Sequence, residues 1–69
     1  MRIYDFEVLN GDRSISARRS LPICDLRDAW PMIAEMALAV DEAGCRIRVT
    51  DETGAIVILT GVAAARLHA

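Results

Sequence analysis

The clearest pattern in the chain is the alternation of apolar and polar residues over positions 3–9. Tyr4, Phe6 and Val8 fall on one side of an extended chain, while Asp5 and Glu7 fall on the other. Because successive side chains of a strand point to opposite faces of a sheet, this alternation predicts a strand with one buried face.

A tight turn follows this strand directly. Asn10-Gly11 is the residue pair that best tolerates the positive φ angles of a type I′ turn, which joins two antiparallel strands through a two-residue loop. We therefore expect a first hairpin over about residues 2–19, in which the second strand begins at Asp12.

The position of this turn sets the register of the hairpin. If Leu9 and Asp12 flank the loop, the apolar sides of both strands fall on one face. The predicted pairs are Phe6 with Ile15 and Tyr4 with Ala17 on the apolar face and, on the other face, Asp5 with Ser16, Glu7 with Ser14 and Ile3 with Arg18. In this register Asp5 can also reach Arg18 diagonally.

A helical repeat of apolar residues follows the first hairpin. Leu21-Pro22 ends the second strand, and Asp25 is suited to cap a helix because its carboxylate can accept a hydrogen bond from an amide of the first turn. Gly44 is suited to end the helix. The predicted helix covers about residues 25–43, and its apolar stripe consists of Leu26, Ala29, Trp30, Ile33, Met36, Ala37 and Val40.

Pro31 leaves the start of this helix open. In a helix that begins at Asp25, Pro31 falls in the second turn and removes one backbone hydrogen bond. In a helix that begins near Trp30, Pro31 occupies the first helical position, where its amide is not needed. The capping residues favour the longer helix.

Alternation returns after the helix and predicts a second hairpin over about residues 45–60. Cys45, Ile47 and Val49 fall on one side, and Arg46 and Arg48 fall on the other. Two registers fit the turn at residues 51–54. The favoured one, a three-residue loop that ends in a bulge at Gly54, pairs Val49 with Val57 and Ile47 with Leu59, whereas a four-residue loop pairs Val49 with Ile56 and Ile47 with Ile58.

These elements predict an α+β fold of the order ββαββ, with a four-stranded antiparallel sheet and one amphipathic helix packed on one face. One helix covers only one face of a sheet, so aliphatic side chains of the fourth strand remain on the other. In the favoured register the candidate interaction surface consists of Arg46, Arg48, Ile56 and Ile58. The alternative register places Val57 and Leu59 beside the two arginines.

Length and composition indicate one domain that gains from association. The 69 residues predict a single domain, with a short C-terminal tail at 61–69 that either forms a short helix or frays. A chain this short buries only about 60% of its unfolded surface. Since 54% of its residues are hydrophobic and only 4% are aromatic, much aliphatic surface is left for one helix and four strands to bury, and this favours oligomerisation.

The cysteines and the histidine argue against the other ways of stabilising a small domain. Cys24 and Cys45 allow one disulfide at most, and the charged start of the chain is not typical of a secretory signal, so we expect reduced thiols in the cytoplasm. His68, the single histidine, has no metal-binding pattern around it, and we expect no metal and no cofactor. No apolar run is long enough for a membrane span, so no membrane partner is expected.

Candidate chemistry is sparse, and we expect no enzymatic activity. Nucleophile and phosphate-binding motifs are missing from the sequence, and Asp5 and Glu7 are better interpreted as a solvated strand face than as a catalytic pair. A redox role for Cys24 is disfavoured because Asp25 opposes thiolate formation. All eight basic residues are arginines, but the net charge of −2 argues against nucleic-acid binding driven by bulk electrostatics.

The order of several short motifs resembles a known family. Ile3-Tyr4-Asp5-Phe6, Asn10-Gly11-Asp12, Leu21-Pro22 before an alanine-rich helix, and residues 47–54 follow one another as in a family of short uncharacterised proteins of rhizobia and related bacteria, classed as a domain of unknown function. The resemblance implies a ββαββ domain and brings no catalytic residues. Pro31 and the tail depart from the family pattern.

Two functional hypotheses follow from the sequence. The first is a non-enzymatic protein-interaction module that binds a protein partner or forms a homodimer through the uncovered sheet face. The alternative is a nucleic-acid-linked regulator that uses Arg46 and Arg48, since the aromatic first strand is also similar to that of small antitoxins with a partial dsRNA-binding-like fold.

Overall fold

The computed structural model describes residues 1–68, which form four strands, two short helices and two 3₁₀ turns. Ala69, the last residue of the predicted tail, lies outside the described residues. In chain order the elements are β1 (Arg2–Asn10), β2 (Arg13–Ile23), a 3₁₀ turn (Leu26–Asp28), α1 (Ala29–Leu38), β3 (Arg46–Thr50), β4 (Ile56–Gly61), α2 (Val62–Ala65) and a second 3₁₀ turn (Arg66–His68). The predicted α+β class with one antiparallel sheet is confirmed.

The four strands lie in the order β2-β1-β3-β4, so β1 and β3 are central and β2 and β4 form the edges. Alternate residues of the two central strands point to the helices and form the core with them. The largest fully buried side chains are Phe6, Val8, Cys45, Ile47, Val49, Ile33 of α1 and Val62 of α2. The opposite side of the sheet, which we call the outer face, has no helix on it among residues 1–68.

The predicted register of the first hairpin is wrong. Asn10 pairs with Arg13, so the loop is Gly11-Asp12, and only Gly11 has a positive φ (62°). That combination matches a type II′ turn with glycine in the first loop position. Phe6 therefore lies opposite Arg18 instead of Ile15, and the register shifts once more between Val8 and Leu9 and again between Tyr4 and Phe6.

β2 also extends further than expected. Pro22 does not end the strand but pairs with Ile3, and β2 continues to Ile23. An edge strand tolerates proline because one side of it has no hydrogen bonds to make. The shift before this segment falls at Ser20, which has a φ of 59° and donates its backbone N–H to Asp5 Oδ1 at 2.8 Å.

The helix is shorter than predicted at both ends. Asp25 acts as a cap, accepting the Arg27 amide at 2.9 Å, but it begins a 3₁₀ turn, and the α-helix starts only at Ala29. Pro31 is thus the third residue of α1, where its missing amide costs no helical hydrogen bond. The start near Trp30 was the better alternative.

The end of α1 is held by a residue from the far end of the chain. The helix stops at Leu38, and Gly44 lies outside it. Arg66 donates from Nε to the Ala37 carbonyl at 3.2 Å and from Nη2 to the Val40 carbonyl. A guanidinium at this position satisfies free carbonyl groups and complements the negative end of the helix dipole.

The turn of the second hairpin is the favoured one, since Asp51 and Ala55 flank a three-residue loop that ends at Gly54 with a φ of 86°, but the strands beyond it follow neither predicted register. Val49 pairs with Ile58 and Arg48 with Leu59, and one extra residue at Val57 shifts the pairing so that Thr50 lies opposite Ile56. The turn itself is built on Asp51, whose carboxylate accepts the amides of Thr53 and Ala55 at 2.9 and 3.1 Å. Asp51 Oδ1 also accepts a hydrogen bond from the Thr53 hydroxyl at 2.7 Å. This bond above all, together with those from the two amides, lowers the pKa of Asp51.

None of the helices within residues 1–68 has the length and the apolar character needed to cross a bilayer.

The contact of Arg66 with α1 leads to a stability prediction. We expect Arg66→Ala to lower the free energy of unfolding by about 1–2 kcal/mol, because two carbonyl groups at the helix end lose a charged donor. Urea denaturation measures this change. Arg27→Ala is the control: the Arg27 side chain is 88% exposed and, among the described residues, pairs only with neighbouring Asp25, so the change should affect stability little. Equal losses in both variants would contradict the structural role of Arg66.

Candidate functional site

The outer face combines a charged centre with an apolar margin. Strand pairing and burial assign it Ile3, Asp5, Glu7 and Leu9 from β1, Ala17 and Arg19 from β2, Arg46, Arg48 and Thr50 from β3, and Ile56 and Leu59 from β4. The charged residues occupy the middle strands and β2. The most exposed aliphatic side chains of this face lie on β4, at one edge of the sheet.

Glu7 is the centre of the charged part. Its Oε1 accepts a hydrogen bond from Arg48 Nη2 at 2.5 Å, and its Oε2 lies 3.7 Å from Arg19 Nη2. Arg19 also lies 3.8 Å from Asp5 Oδ2. The predicted diagonal contact of Asp5 with Arg18 is wrong, because the shifted register turns Arg18 to the helix side, where it pairs with Glu35 at 3.1 Å.

The surroundings of Glu7 favour its charged form. Hydrogen bonds from Arg48 and then from Ser14 hold the pKa of Glu7 below its ordinary value of 4.5. Partial burial raises the pKa, but the charges of Arg48 and Arg19 also lower it, so the net shift is downward. Arg48 binds Glu7 through Nη2, and its Nε is buried without a hydrogen-bond partner among the described residues. This arrangement fixes Arg48 on the sheet.

An open hollow of about 490 Å³ lies beside the charged centre. Its lining comes from the first turn, from the segment before β3 and from β3 and β4, and it consists of Leu9, Gly11, Asp12, Gly44, Arg46, Arg48, Ile56 and Leu59. Ile56 is 56% exposed and Leu59 is 53% exposed. Arg46 is exposed at the same hollow and makes no hydrogen bond or ion pair with any of the described residues.

Three of the four predicted surface residues lie together at this hollow, namely Arg46, Arg48 and Ile56. The fourth, Ile58, is a correction: it pairs with Val49, is half-buried and packs against the core on the helix side. Leu59 takes its place. The extra residue at Val57 reverses the alternation between Ile56 and Ile58, so each predicted register places one of the two exposed residues correctly and misses the other.

The two cysteines differ in exposure and are not joined to each other. Cys24 is exposed and Cys45 is buried, and neither forms a disulfide. Burial, together with the nearby carboxylate of Glu42, raises the pKa of the Cys45 thiol and keeps it protonated. Across the described part of the chain, no three His, Cys, Asp or Glu side chains come together as a metal site requires.

No protein-family model, no curated protein and no solved structure matches the chain. The resemblance to the rhizobial family therefore stays a prediction.

The Glu7–Arg48 contact leads to a prediction about pH. We expect Glu7→Gln to lower the free energy of unfolding by about 1–2 kcal/mol at neutral pH, because a partly buried arginine loses its carboxylate partner. Since the pKa of Glu7 is lowered in the folded state, its contribution is complete above 4.5 and disappears as the pH falls through the lower, folded-state value. The difference between wild type and variant should therefore shrink in acid.

Urea denaturation at neutral and acidic pH measures this difference. Glu35→Gln is the matched control, because Glu35 also pairs with an arginine but its side chain is 67% exposed. We expect it to change stability by less than about 0.5 kcal/mol. A loss in the control as large as that in Glu7→Gln, or a difference independent of pH, would show that Glu7 has no special role.

Proposed function

We propose that this domain is a non-enzymatic protein-interaction module that forms a homodimer at the β4 side of the outer face, where Ile56 and Leu59 are exposed. The observation that carries the proposal is the placement of Ile56 and Leu59. Two large aliphatic side chains of one strand are each more than half exposed and lie next to each other at one hollow. Contiguous exposed apolar surface of this kind marks sites of protein association.

The composition of the surroundings also suits a protein partner. Arginine is enriched at protein interfaces, and Arg46 stands beside the apolar residues without a partner among the described residues. Arg48 lies at the same hollow but is held by Glu7. The hollow therefore combines two exposed aliphatic side chains of β4 with one available cation, Arg46.

A second copy of the chain is the partner that we favour. A domain of 69 residues gains stability from association, because binding that requires the folded state shifts the folding equilibrium towards it. Ile56 and Leu59 carry no charge, so the same surface of another copy meets no like-charge repulsion there. We further propose a cytoplasmic location, which the two unpaired thiols support.

The nucleic-acid alternative has less support. Of the two strand arginines it relies on, Arg48 is engaged with Glu7 on a face that also carries Asp5. Aromatic rings that could stack on bases are not available there, since Tyr4 and Phe6 are buried in the core and Trp30 packs against it on the helix side. We therefore retain protein association as the proposal.

Sedimentation of the wild type from about 10 µM to about 1 mM tests the homodimer directly. We expect a concentration-dependent monomer–dimer equilibrium. Leu59→Ser should weaken dimerisation about tenfold or more, because both copies lose apolar area at the contact.

The matched control is Leu38→Ser. Leu38 is also an exposed leucine, at 62%, but it lies at the end of α1 on the other side of the sheet. We expect this variant to dimerise as the wild type does. A wild type that stays monomeric over the whole concentration range would refute the proposal, and equal weakening in both variants would show that the hollow is not the contact.

A further inference from the structure

The two edges of the sheet are built very differently. The β2 edge carries Arg13, Arg18 and Arg19, and Pro22 lacks an amide hydrogen. Its pairing with β1 is also interrupted twice by irregularities. Charges, proline and bulges are the features by which natural sheets discourage the addition of a further strand.

The β4 edge has almost none of these features. Residues Ile56–Gly61 include no charged residue and no proline. The single irregularity of this strand lies at its start, and Ile58–Gly61 pairs in unbroken register with Arg46–Val49. No further strand among residues 1–68 pairs with β4, so alternate amide and carbonyl groups along it face away from the sheet without a strand partner.

We propose that β4 pairs in antiparallel orientation with β4 of a second copy, so that two four-stranded sheets join into one sheet of eight strands. This inference rests on the proposed function, because it names the strand and the geometry through which the homodimer forms. It differs from packing of two outer faces against each other, which leaves both β4 edges unpaired.

A second copy of the chain is the partner that pairs with this edge, because β4 is complementary to itself. Two identical strands in antiparallel orientation are related by a twofold axis, the commonest symmetry of homodimers. The absence of charge over Ile56–Gly61 means that no like charges meet across the axis. Edge pairing also brings the exposed leucine of each copy onto one continuous outer face.

The strand permits one register for this pairing. Residues directly opposite each other share a face of the sheet, so one residue must lie opposite its own copy. With Leu59 at the axis, Ile58 lies opposite Thr60 and the regular part of β4 is used. An axis at Ile58 would draw in the extra residue at Val57, and an axis at Thr60 would place Ile58 opposite Val62, which already belongs to α2.

The length of β4 sets the expected strength of the dimer. In this register the regular paired stretch is Ile58–Thr60, about 10 Å of strand, and a contact of this length buries less than the area of about 1,200 Å² that stable complexes bury. We therefore expect a dissociation constant of about 10 µM or weaker.

Cysteine crosslinking tests the geometry. The experiment uses the full chain with Cys24→Ser, which removes the exposed thiol and leaves the buried, protonated Cys45. Leu59→Cys is added in one variant and Leu38→Cys in the other. Side chains directly opposite each other in antiparallel strands are within reach of a disulfide. Copper-phenanthroline and air serve as the oxidant that joins the two thiols.

We expect Leu59→Cys to form a disulfide-linked dimer about tenfold faster or more than Leu38→Cys, because the paired strands hold the two thiols at high effective concentration. Circular dichroism verifies that both variants are folded. Equal rates in the two variants, at a protein concentration at which both sediment as dimers, overturn edge pairing while the homodimer stands. A wild type that is monomeric up to about 1 mM overturns the homodimer and the edge pairing together.

Discussion

A single layer of short helices on a sheet of four strands is the constraint on which the rest of the structure depends. α1 has ten residues and is therefore about 15 Å long, while four strands at about 4.8 Å spacing make a sheet of similar width. The helices cover the middle of one face and leave the other face open. Residues 13–20 of β2 are exposed throughout, although Arg18 reaches Glu35 of α1.

The open face has to tolerate water, and its charges are placed accordingly. Glu7 lies in the middle of the sheet and is held from two sides by Arg48 and Arg19. This keeps the centre of the outer face polar and leaves Ile56 and Leu59 on β4 as its most exposed large aliphatic side chains, ahead of Ile3 on β1. The division of the face into a charged centre and an apolar edge explains why association is proposed at the edge strand.

The alternation of residues and the capping pattern were sufficient to predict the elements and the fold class. Tyr4, Phe6 and Val8 are buried as expected, and Asp25 caps the turn that leads into the helix. These signals are local, since each depends on residues a few positions apart. The end of α1 depends instead on Arg66, which lies 29 positions from Ala37 in the chain, and no local pattern indicates that contact.

The sequence predicted the turn of the second hairpin but not the extra residues that shift the register, and the candidate surface depends on them. Extra residues in the edge strands, near Ile15, at Ser20 and at Val57, shift the pairing, and each shift moves the following side chains to the other face. The sequence predicted Arg46, Arg48 and Ile56 at the surface without identifying the bulge at Val57. The prediction therefore placed Ile58 on the outer face, where the structure instead has Leu59.

Amide hydrogen exchange at several protein concentrations tests the central claim, that the open side of this sheet is a surface for a second copy joined through β4. We predict that the outward-facing amides of β4 become slower to exchange as the concentration rises from about 10 µM to about 1 mM, while those of the β2 edge do not change. Exchange in β4 that is independent of concentration, in a protein that sediments as a dimer, would contradict the claim.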